Sequence, residues 1–236
     1  MDRAAEQRIE MDDFFSGFSI VRPPLADSEP EDGCSLSSEA GDAIAGIADE
    51  VSQCRRCELS VTRTNPVAGE GSCSAKIVFV GEAPGADEDA QGRPFVGRAG
   101  KLLDKIIAAC GLSRREVFIC NILKCRPPGN RDPKPKEVIS CRSYLERQLA
   151  VIKPEVIVAL GAHAARTLLD SDEAIGKLRG RFHEYYFDRE QHPLKLMPTY
   201  HPSYLLRNYS PDNRRKVWED IQKVMKEVGL PLPGND

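Results

Sequence analysis

Short, almost continuous apolar runs that alternate with helical segments constrain the fold of this chain more than any other feature. The runs cover residues 76–80, 117–123, 155–160 and 194–199. Runs this rich in β-branched residues are typical of strands buried on both faces. The segments with helical periodicity cover residues 100–110, 135–151, 163–169 and 211–228. The alternation predicts an α/β fold, a three-layer α/β/α sandwich around a short, mainly parallel four-stranded sheet.

The loops that leave the carboxyl ends of parallel strands carry the chemistry in folds of this kind. In this chain the rule selects GEAPGADED after the first strand, NILKCRPP after the second and TYHPSYLL after the last. We therefore expect functional side chains to meet at one edge of the sheet.

Charge is distributed unevenly along the 236 residues, whose formal net charge is −3. Residues 1–50 hold thirteen Asp and Glu against three Arg, a net charge of −10. The remainder holds thirty basic and twenty-three acidic residues, a net charge of +7. A basic body with an acidic tail fits a phosphate-binding surface with a separate appendage, or a solvated surface with an acidic linker.

Composition restricts the class of protein, because 41% of the residues are hydrophobic, enough for a core. There is no apolar run of about 18 residues that would span a membrane. The N-terminus lacks the basic-then-apolar pattern of a secretory signal, so we expect a cytoplasmic, nucleoid-associated protein if the source is bacterial. In a reducing compartment, cysteines are metal ligands or core residues more often than disulfides.

Four of the eight cysteines are candidate metal ligands. Cys54 and Cys57 form a C-x-x-C pair, a spacing that lets two thiolates converge on one metal centre. Cys125 lies in a proline-stiffened loop and Cys141 in a predicted helix, so both can approach that pair. Four thiolates suit a structural zinc ion or an iron–sulfur cluster, and the spacing leaves both open. The other four cysteines are expected to be ordinary thiols.

Several blocks of sequence together carry a family resemblance. In order, they are Cys54-x-x-Cys57, GEAPGADEDAQGRPFVGRAGKLLD (81–104), NILKCRPPGNRDP (121–133), Cys141, VIVALG (156–161) and HPSYLLR (201–207). In this order and spacing the chain resembles the family 4 uracil-DNA glycosylases. The resemblance covers about residues 46–228, nearly everything outside the acidic tail.

The resemblance implies both a fold and a cofactor. Its fold is the α/β/α sandwich that periodicity also predicts, and its four cysteines, Cys54, Cys57, Cys125 and Cys141, hold a structural [4Fe–4S] cluster. The implied activity is hydrolysis of the N-glycosidic bond of uracil in single- or double-stranded DNA. Such an enzyme is monofunctional and leaves an abasic site, the first step of base excision repair.

Uracil recognition requires a ring stack and a polar group that distinguishes a carbonyl from an amine. Phe95 resembles the stacking residue of the family, since a flat ring face suits a pyrimidine. Asn121 carries an amide that can pair with both O4 and N3–H of uracil. Cytosine leaves both groups mismatched, and such a mismatch is costly in a buried site.

Bond cleavage places negative charge on the departing uracil and positive charge on the sugar. His201 resembles the family histidine that donates a hydrogen bond to uracil O2 as this charge grows. Glu82 is expected to position water or to favour the cationic sugar, although the family 1 water-positioning Asp falls one residue later, at Ala83. The backbone around Ala83 and Pro84 is expected to contact uracil.

DNA contacts are predicted at the rim of the same loops. Leu205 follows His201 by four residues, as does the family 1 leucine that wedges into the vacated base stack. Basic residues that flank the loops are expected to bind phosphates. They are Arg207, Arg126, Arg131, Lys134 and Lys136.

Two other functions are compatible with the sequence. One is a protein that recognises or traps uracil in DNA without efficient turnover. Relatives that trap their product carry an extra basic, His-containing loop, whereas here FVGRAG passes straight into helix. The other is a zinc-stabilised protein whose GEAPG loop binds a phosphate ligand.

The domain organisation follows from composition. We predict a largely disordered acidic tail over residues 1–45, a catalytic domain over 46–228 and a C-terminal tail over 229–236. Met11, Phe14 and Phe15 resemble a short peptide that docks into sliding clamps, although Arg8 replaces its usual leading Gln. The alternative is a turn that packs weakly on the body. We expect a monomer.

Overall fold

The computed structural model describes residues 39–186 and 193–232. Most of the predicted acidic tail, with its clamp-docking residues Met11, Phe14 and Phe15, lies outside these ranges. In the part of the chain that the structure describes, no helix is both long enough and apolar enough to cross a membrane.

A mixed sheet forms the middle layer, and within the described ranges it has six strands. They are β1 (Glu70–Gly71), β2 (Ile77–Gly81), β3 (Phe118–Asn121), β4 (Val156–Leu160), β5 (His183–Tyr185) and β6 (Leu194–Thr199). Their order across the sheet is β1-β3-β2-β4-β6-β5. The four central strands are parallel, and the two edge strands pair antiparallel.

The predicted count of four strands is therefore wrong, although the parallel centre is as predicted. Both additional strands are at edges, and they have only two and three residues. Neither edge strand contains an apolar run, because an edge of this length is held by backbone pairing and little side-chain burial. Periodicity carries no signal for such a strand.

Nine α-helices are present among the described residues, besides a short 3-10 helix at Pro128–Asn130, and four of the nine follow the predicted ranges to within two residues. They are α1 (Glu39–Gln53), α2 (Leu59–Thr62), α3 (Ala86–Gln91), α4 (Arg98–Ala109), α5 (Pro135–Ile152), α6 (Ala162–Leu169), α7 (Ile175–Leu178), α8 (Pro202–Arg207) and α9 (Pro211–Glu227). Lys134, which precedes α5, is followed by proline at the first helical position, a common helix start.

Alternate residues of each strand face opposite helical layers, which gives two cores. Val78 and Val80 of β2 pack with α1, α5, α6 and α7, whereas Ile77 and Phe79 pack with α4, α8 and α9. The chain is thus the predicted three-layer α/β/α sandwich. Both faces of the central strands are buried, which explains their continuous apolar runs.

Ordered structure extends past both predicted domain boundaries. Helix α1 begins at Glu39, within the segment predicted to be a tail, and buries Ile47 and Val51. At the other end, Leu230 and Leu232 pack against the second core. The apolar residues of these terminal segments are few and stand among polar ones, so composition alone predicted tails where the structure has packed residues.

A buried ion pair secures the end of β6. The Asp220 carboxylate is fully buried and accepts hydrogen bonds from the Thr199 hydroxyl at 2.7 Å and from Arg179 at 2.6 and 3.0 Å. Burial raises the pKa of Asp220, while Thr199 and Arg179 oppose that shift. The guanidinium also lies 5.4 Å from the ring centre of Tyr200, which precedes His201.

Replacing Arg179 by Met should lower the free energy of unfolding by about 3 kcal/mol, because it leaves a buried carboxylate without its counter-charge. Urea unfolding followed by circular dichroism measures the effect. The double variant Arg179→Met, Asp220→Asn should recover most of the loss. Equal stability of the single and double variants would contradict a stabilising charge pair at this position.

Candidate active site

A cavity of about 550 Å³ opens at the carboxyl ends of the parallel strands. Loops after β2, β3, β4 and β6 line it, as the strand-end rule predicts. All six pocket residues predicted from sequence line this cavity. They are Glu82, Ala83, Pro84, Phe95, Asn121 and His201.

Phe95 lies in the cavity wall in a conformation that its neighbours impose. Its φ of 51° is uncommon for a residue other than glycine. Arg114 holds this turn by donating to the carbonyl oxygens of Pro94 at 2.6 Å and Phe95 at 3.1 Å. A Cβ at Gly100 would clash with the Phe95 carbonyl, so only glycine at that position lets the turn pack on α4.

Asn121 ends β3 and is 2% exposed. A Cβ at Gly81 would clash with the Asn121 side-chain oxygen and lie 2.6 Å from the Phe95 ring. Glycine at the end of β2 therefore lets an amide and an aromatic ring come together in one wall.

His201 is the N-cap residue of α8, and its ring centre is 5.7 Å from that of Phe95. The Ser203 backbone N–H donates to Nδ1 at 3.0 Å, and the Ser203 hydroxyl oxygen is 2.8 Å from the same nitrogen. A backbone N–H only donates, so Nδ1 is the acceptor and Nε2 carries the proton. Burial, helped by the charge of Arg207, lowers the pKa of His201 to about 4. The imidazole is therefore a neutral donor at pH 7.

Glu82 follows β2 and approaches two groups that were not predicted to belong to the site. One oxygen of Glu82, one of Asp132 and a ring nitrogen of His163 all lie within 4.8 Å of one another. Burial raises the pKa of Glu82, the charge of His163 opposes this shift and the charge of Asp132 adds to it. These donor types suit a divalent cation as well as a water molecule.

Glu88 is a further site residue that sequence reasoning missed. One of its carboxylate oxygens accepts hydrogen bonds from the backbone N–H groups of Val96 and Gly97 at 2.9 and 3.0 Å. The other accepts one from the backbone N–H of Gly85 at 3.1 Å. The side chain thus ties the GEAPG loop to the turn that carries Phe95. Its signal was present, because Glu88 is the third residue of α3, where a carboxylate completes a capping box.

The predicted DNA-contacting residues are not equally available. Arg207 is exposed at the rim of the cavity, as expected. Arg126 donates to the Asn130 side chain at 2.7 Å, and Arg131 makes a bidentate pair with Glu137 at 2.6 and 2.9 Å. Both guanidinium groups therefore have protein partners in this structure.

Leu205 does not lie where a wedge would be needed. It is 1% exposed, and its side chain packs in the second core where α8 meets α4. Helix α8 turns this position toward the core, so the prediction of a wedge at Leu205 is wrong for this conformation. The adjacent Leu206 is only partly buried.

The four candidate ligand cysteines lie together on the α5 side of the sheet. Cys125 interacts electrostatically with Cys54 and Cys57, and Cys141 interacts with Cys125 and Cys57. Burial raises the pKa of Cys125, and Arg63 opposes this shift by donating to its sulfur at 3.1 Å. Cys110 is buried in the second core, on the other face of the sheet, whereas Cys120 is buried in the same core as Cys125 and Cys141.

Sulfur spacing limits which metal centre the group fits. Among the described residues, no three of the cysteine sulfurs all lie within 4.8 Å of one another. A tetrahedral zinc ion, with Zn–S bonds of about 2.3 Å, would hold its sulfurs about 3.8 Å apart. The donor set is therefore wider than a single zinc ion requires.

Comparison with known proteins gives a consistent family signal. The family model described as the uracil DNA glycosylase superfamily matches residues 68–222. A type-4 uracil-DNA glycosylase of Thermotoga maritima is 48% identical over 75% of this chain and 91% of its own length. One of Saccharolobus solfataricus is 47% identical over 77% and 85%, respectively. A type-5 uracil-DNA glycosylase of Mycobacterium leprae is 29% identical over 71% of this chain.

The neutral state of His201 predicts a pH dependence of stability. Its pKa is about 4 in the folded protein against an ordinary value of 6.5. The unfolded chain therefore takes up the proton first as the pH falls, and the folded state loses about 3 kcal/mol between pH 6.5 and pH 4. Urea unfolding across this range should show a steeper loss for the wild type than for His201→Gln. Parallel curves would mean that the histidine is not held neutral.

Proposed function

Because the chain belongs to the type-4 uracil-DNA glycosylases of the uracil DNA glycosylase superfamily, we propose that it hydrolyses the N-glycosidic bond of uracil in DNA. It acts as a monofunctional glycosylase that leaves an abasic site and so begins base excision repair. The observation that carries this proposal is the convergence of Phe95, Asn121 and His201 in one cavity.

The nucleotide has to leave the base stack before it enters this cavity, because its glycosidic bond is shielded in a duplex. Phe95 then stacks on the pyrimidine ring. The Asn121 amide donates to uracil O4 and accepts from N3–H. Cytosine presents an amine and an unprotonated nitrogen at these positions, and it would leave the buried amide without matching partners. Tight packing around Gly81 supports this role because it allows the amide little freedom.

His201 stabilises the departing base. Its Nε2–H donates to uracil O2, where negative charge grows as the bond breaks. Since the pKa of the imidazole is about 4, the group donates a hydrogen bond without having to give up a proton at neutral pH. The Ser203 backbone N–H fixes the ring in the required tautomer.

Glu82 acts on the opposite side of the bond, where the sugar becomes cationic. Its carboxylate favours that charge or orients the attacking water. Burial works against ionisation of this group, and the nearby His163 favours it. The backbone of Ala83 and Pro84 forms the neighbouring wall against uracil.

Binding of DNA relies on groups at the rim. Arg207 is exposed there and is suited to a phosphate contact, whereas Arg126 and Arg131 would first have to exchange their protein partners. A wedge at Leu205 would require α8 to shift. The clamp interaction and the monomeric state stay predictions.

A [4Fe–4S] cluster held by Cys54, Cys57, Cys125 and Cys141 is the cofactor we propose. The group of four buried or half-buried thiols, with sulfurs spaced more widely than one zinc ion requires, supports it. When bound, the cluster ties the segment after α1 to the loop after β3 and to α5. Hydrolysis needs no electron transfer, so the cluster has a structural role.

Asn121→Ala should lower kcat/KM for uracil excision about 100-fold, since it removes the group that recognises the base. The assay uses a labelled oligonucleotide with one uracil, followed by alkali to cut abasic sites. Asn121→Asp retains the shape and replaces the donor by an acceptor, so cytosine should become a detectable substrate.

An oligonucleotide of the same sequence with thymine is the control. Tight uracil-dependent binding by the wild type without any cutting would refute the glycosylase and favour a recognition protein. In the same assay, wild-type turnover by Glu82→Gln would remove the proposed role of Glu82.

Metal analysis tests the cofactor. Protein purified without oxygen should be brown and contain about four iron atoms per chain. Cys141→Ser should lose most of this iron, while Cys110→Ala, a change at a buried cysteine outside the group, should retain it. One zinc per chain in a colourless wild-type protein would contradict the cluster.

A further inference from the structure

Lys124 is an unusual residue for the interior, because it is 1% exposed and carries an ammonium group. It lies between Asn121 of the pocket and Cys125 of the cysteine group. Burying such a charge is expensive unless an opposite charge is close by. In the described ranges, no carboxylate forms an ion pair with it, and its side-chain hydrogen bonds go to neutral acceptors.

The contacts of Lys124 connect two functional regions. Its ammonium donates to the backbone carbonyl oxygen of Asn121 at 2.9 Å and to the side-chain oxygen of Gln148 at 2.7 Å. Its backbone N–H donates to the Cys141 sulfur at 3.2 Å. Gln148 in turn donates to the Ala68 carbonyl at 2.8 Å, so the side chain that orients the ammonium is itself fixed.

Negative charge for this ammonium is available from the cysteines. Lys124 directly precedes Cys125, its backbone N–H contacts the Cys141 sulfur, and its ammonium is held by Gln148 on α5, the helix that also carries Cys141. Four thiolates around an iron–sulfur core carry a net negative charge. The metal-loaded cysteine centre therefore supplies the negative charge that no carboxylate supplies to this ammonium in the described ranges.

We propose that Lys124 is a positioning residue that couples the cysteine centre to the uracil pocket. Its ammonium balances the charge of the metal-loaded cysteines and, through the Asn121 carbonyl, holds the end of β3 so that the Asn121 amide faces the base. The inference rests on the proposed function, since it requires both the cluster and the role of Asn121. It gives the cluster a specific effect on recognition in addition to its general structural one.

A double-mutant cycle between Lys124 and Asn121 tests the coupling. Lys124→Met should lower kcat/KM for uracil excision about ten-fold in the wild-type background, with iron content and circular dichroism unchanged. In the Asn121→Ala background the same change should cost less than about two-fold, because the residue acts through Asn121. A full ten-fold loss in both backgrounds would overturn the proposal.

The reduction potential of the cluster provides a readout that a merely structural role would not change. Loss of the ammonium in Lys124→Met should shift the potential downward, because the more negative reduced cluster is then less stabilised. Gln148→Met is the matched control, since it removes one buried partner and retains the charge. It should leave the potential unchanged, and an unchanged potential in Lys124→Met would refute the charge balance.

If Lys124→Met does not retain iron, Lys124→Gln replaces it, because glutamine lacks the charge but keeps a hydrogen-bond donor. The same double-mutant cycle and the same measurement of the reduction potential are then made with that variant. Measurements on the wild-type protein distinguish failure of the proposed function from failure of the role of Lys124. Wild-type protein without iron or without uracil excision would refute the proposed function itself. If the wild-type protein contains iron and excises uracil, but the effects of the Lys124 and Asn121 substitutions are additive, only the role of Lys124 is refuted.

Discussion

The convergence of four parallel strand ends at one edge of the sheet is the constraint on which the site depends. Strands β2, β3, β4 and β6 each deliver a loop to the same cavity. Backbone pairing fixes the spacing of these ends, and hydrogen bonds with Arg114, Glu88 and Ser203 then fix the groups that follow them. The polar groups of the site are therefore arranged before any base enters, which is what stabilisation of a developing charge requires.

Close packing of backbone then brings the recognition groups together. Gly81 lets the Asn121 amide and the Phe95 ring share one wall, and Gly100 accommodates the turn at Phe95. Arg114 and Glu88 both hold that turn by hydrogen bonds to its backbone. The positive φ of Phe95 is thus maintained by several independent contacts, as is typical of strained residues at binding sites.

Sequence periodicity was sufficient for the parallel centre of the sheet and its main helices, because burial on both faces produces long apolar runs. It failed for β1 and β5, whose pairing is mainly between backbones. Residues at strand ends, such as Asn121, line the cavity as expected, because topology alone locates them. The burial of Leu205 was not predicted, because the direction of its side chain depends on how α8 packs. The ion pair between Arg131 and Glu137 was not predicted either, because a sequence shows charges without showing which of them pair.

Within this arrangement the cysteine centre and the pocket are neighbours joined by the loop after β3. We propose that the cavity recognises uracil through Phe95, Asn121 and His201. A crystal structure of the iron-loaded protein with free uracil tests it most directly. The uracil ring should stack on Phe95, with O4 and N3 at the Asn121 amide and O2 at His201 Nε2. A base bound elsewhere, or one turned with O2 toward Asn121, would contradict it.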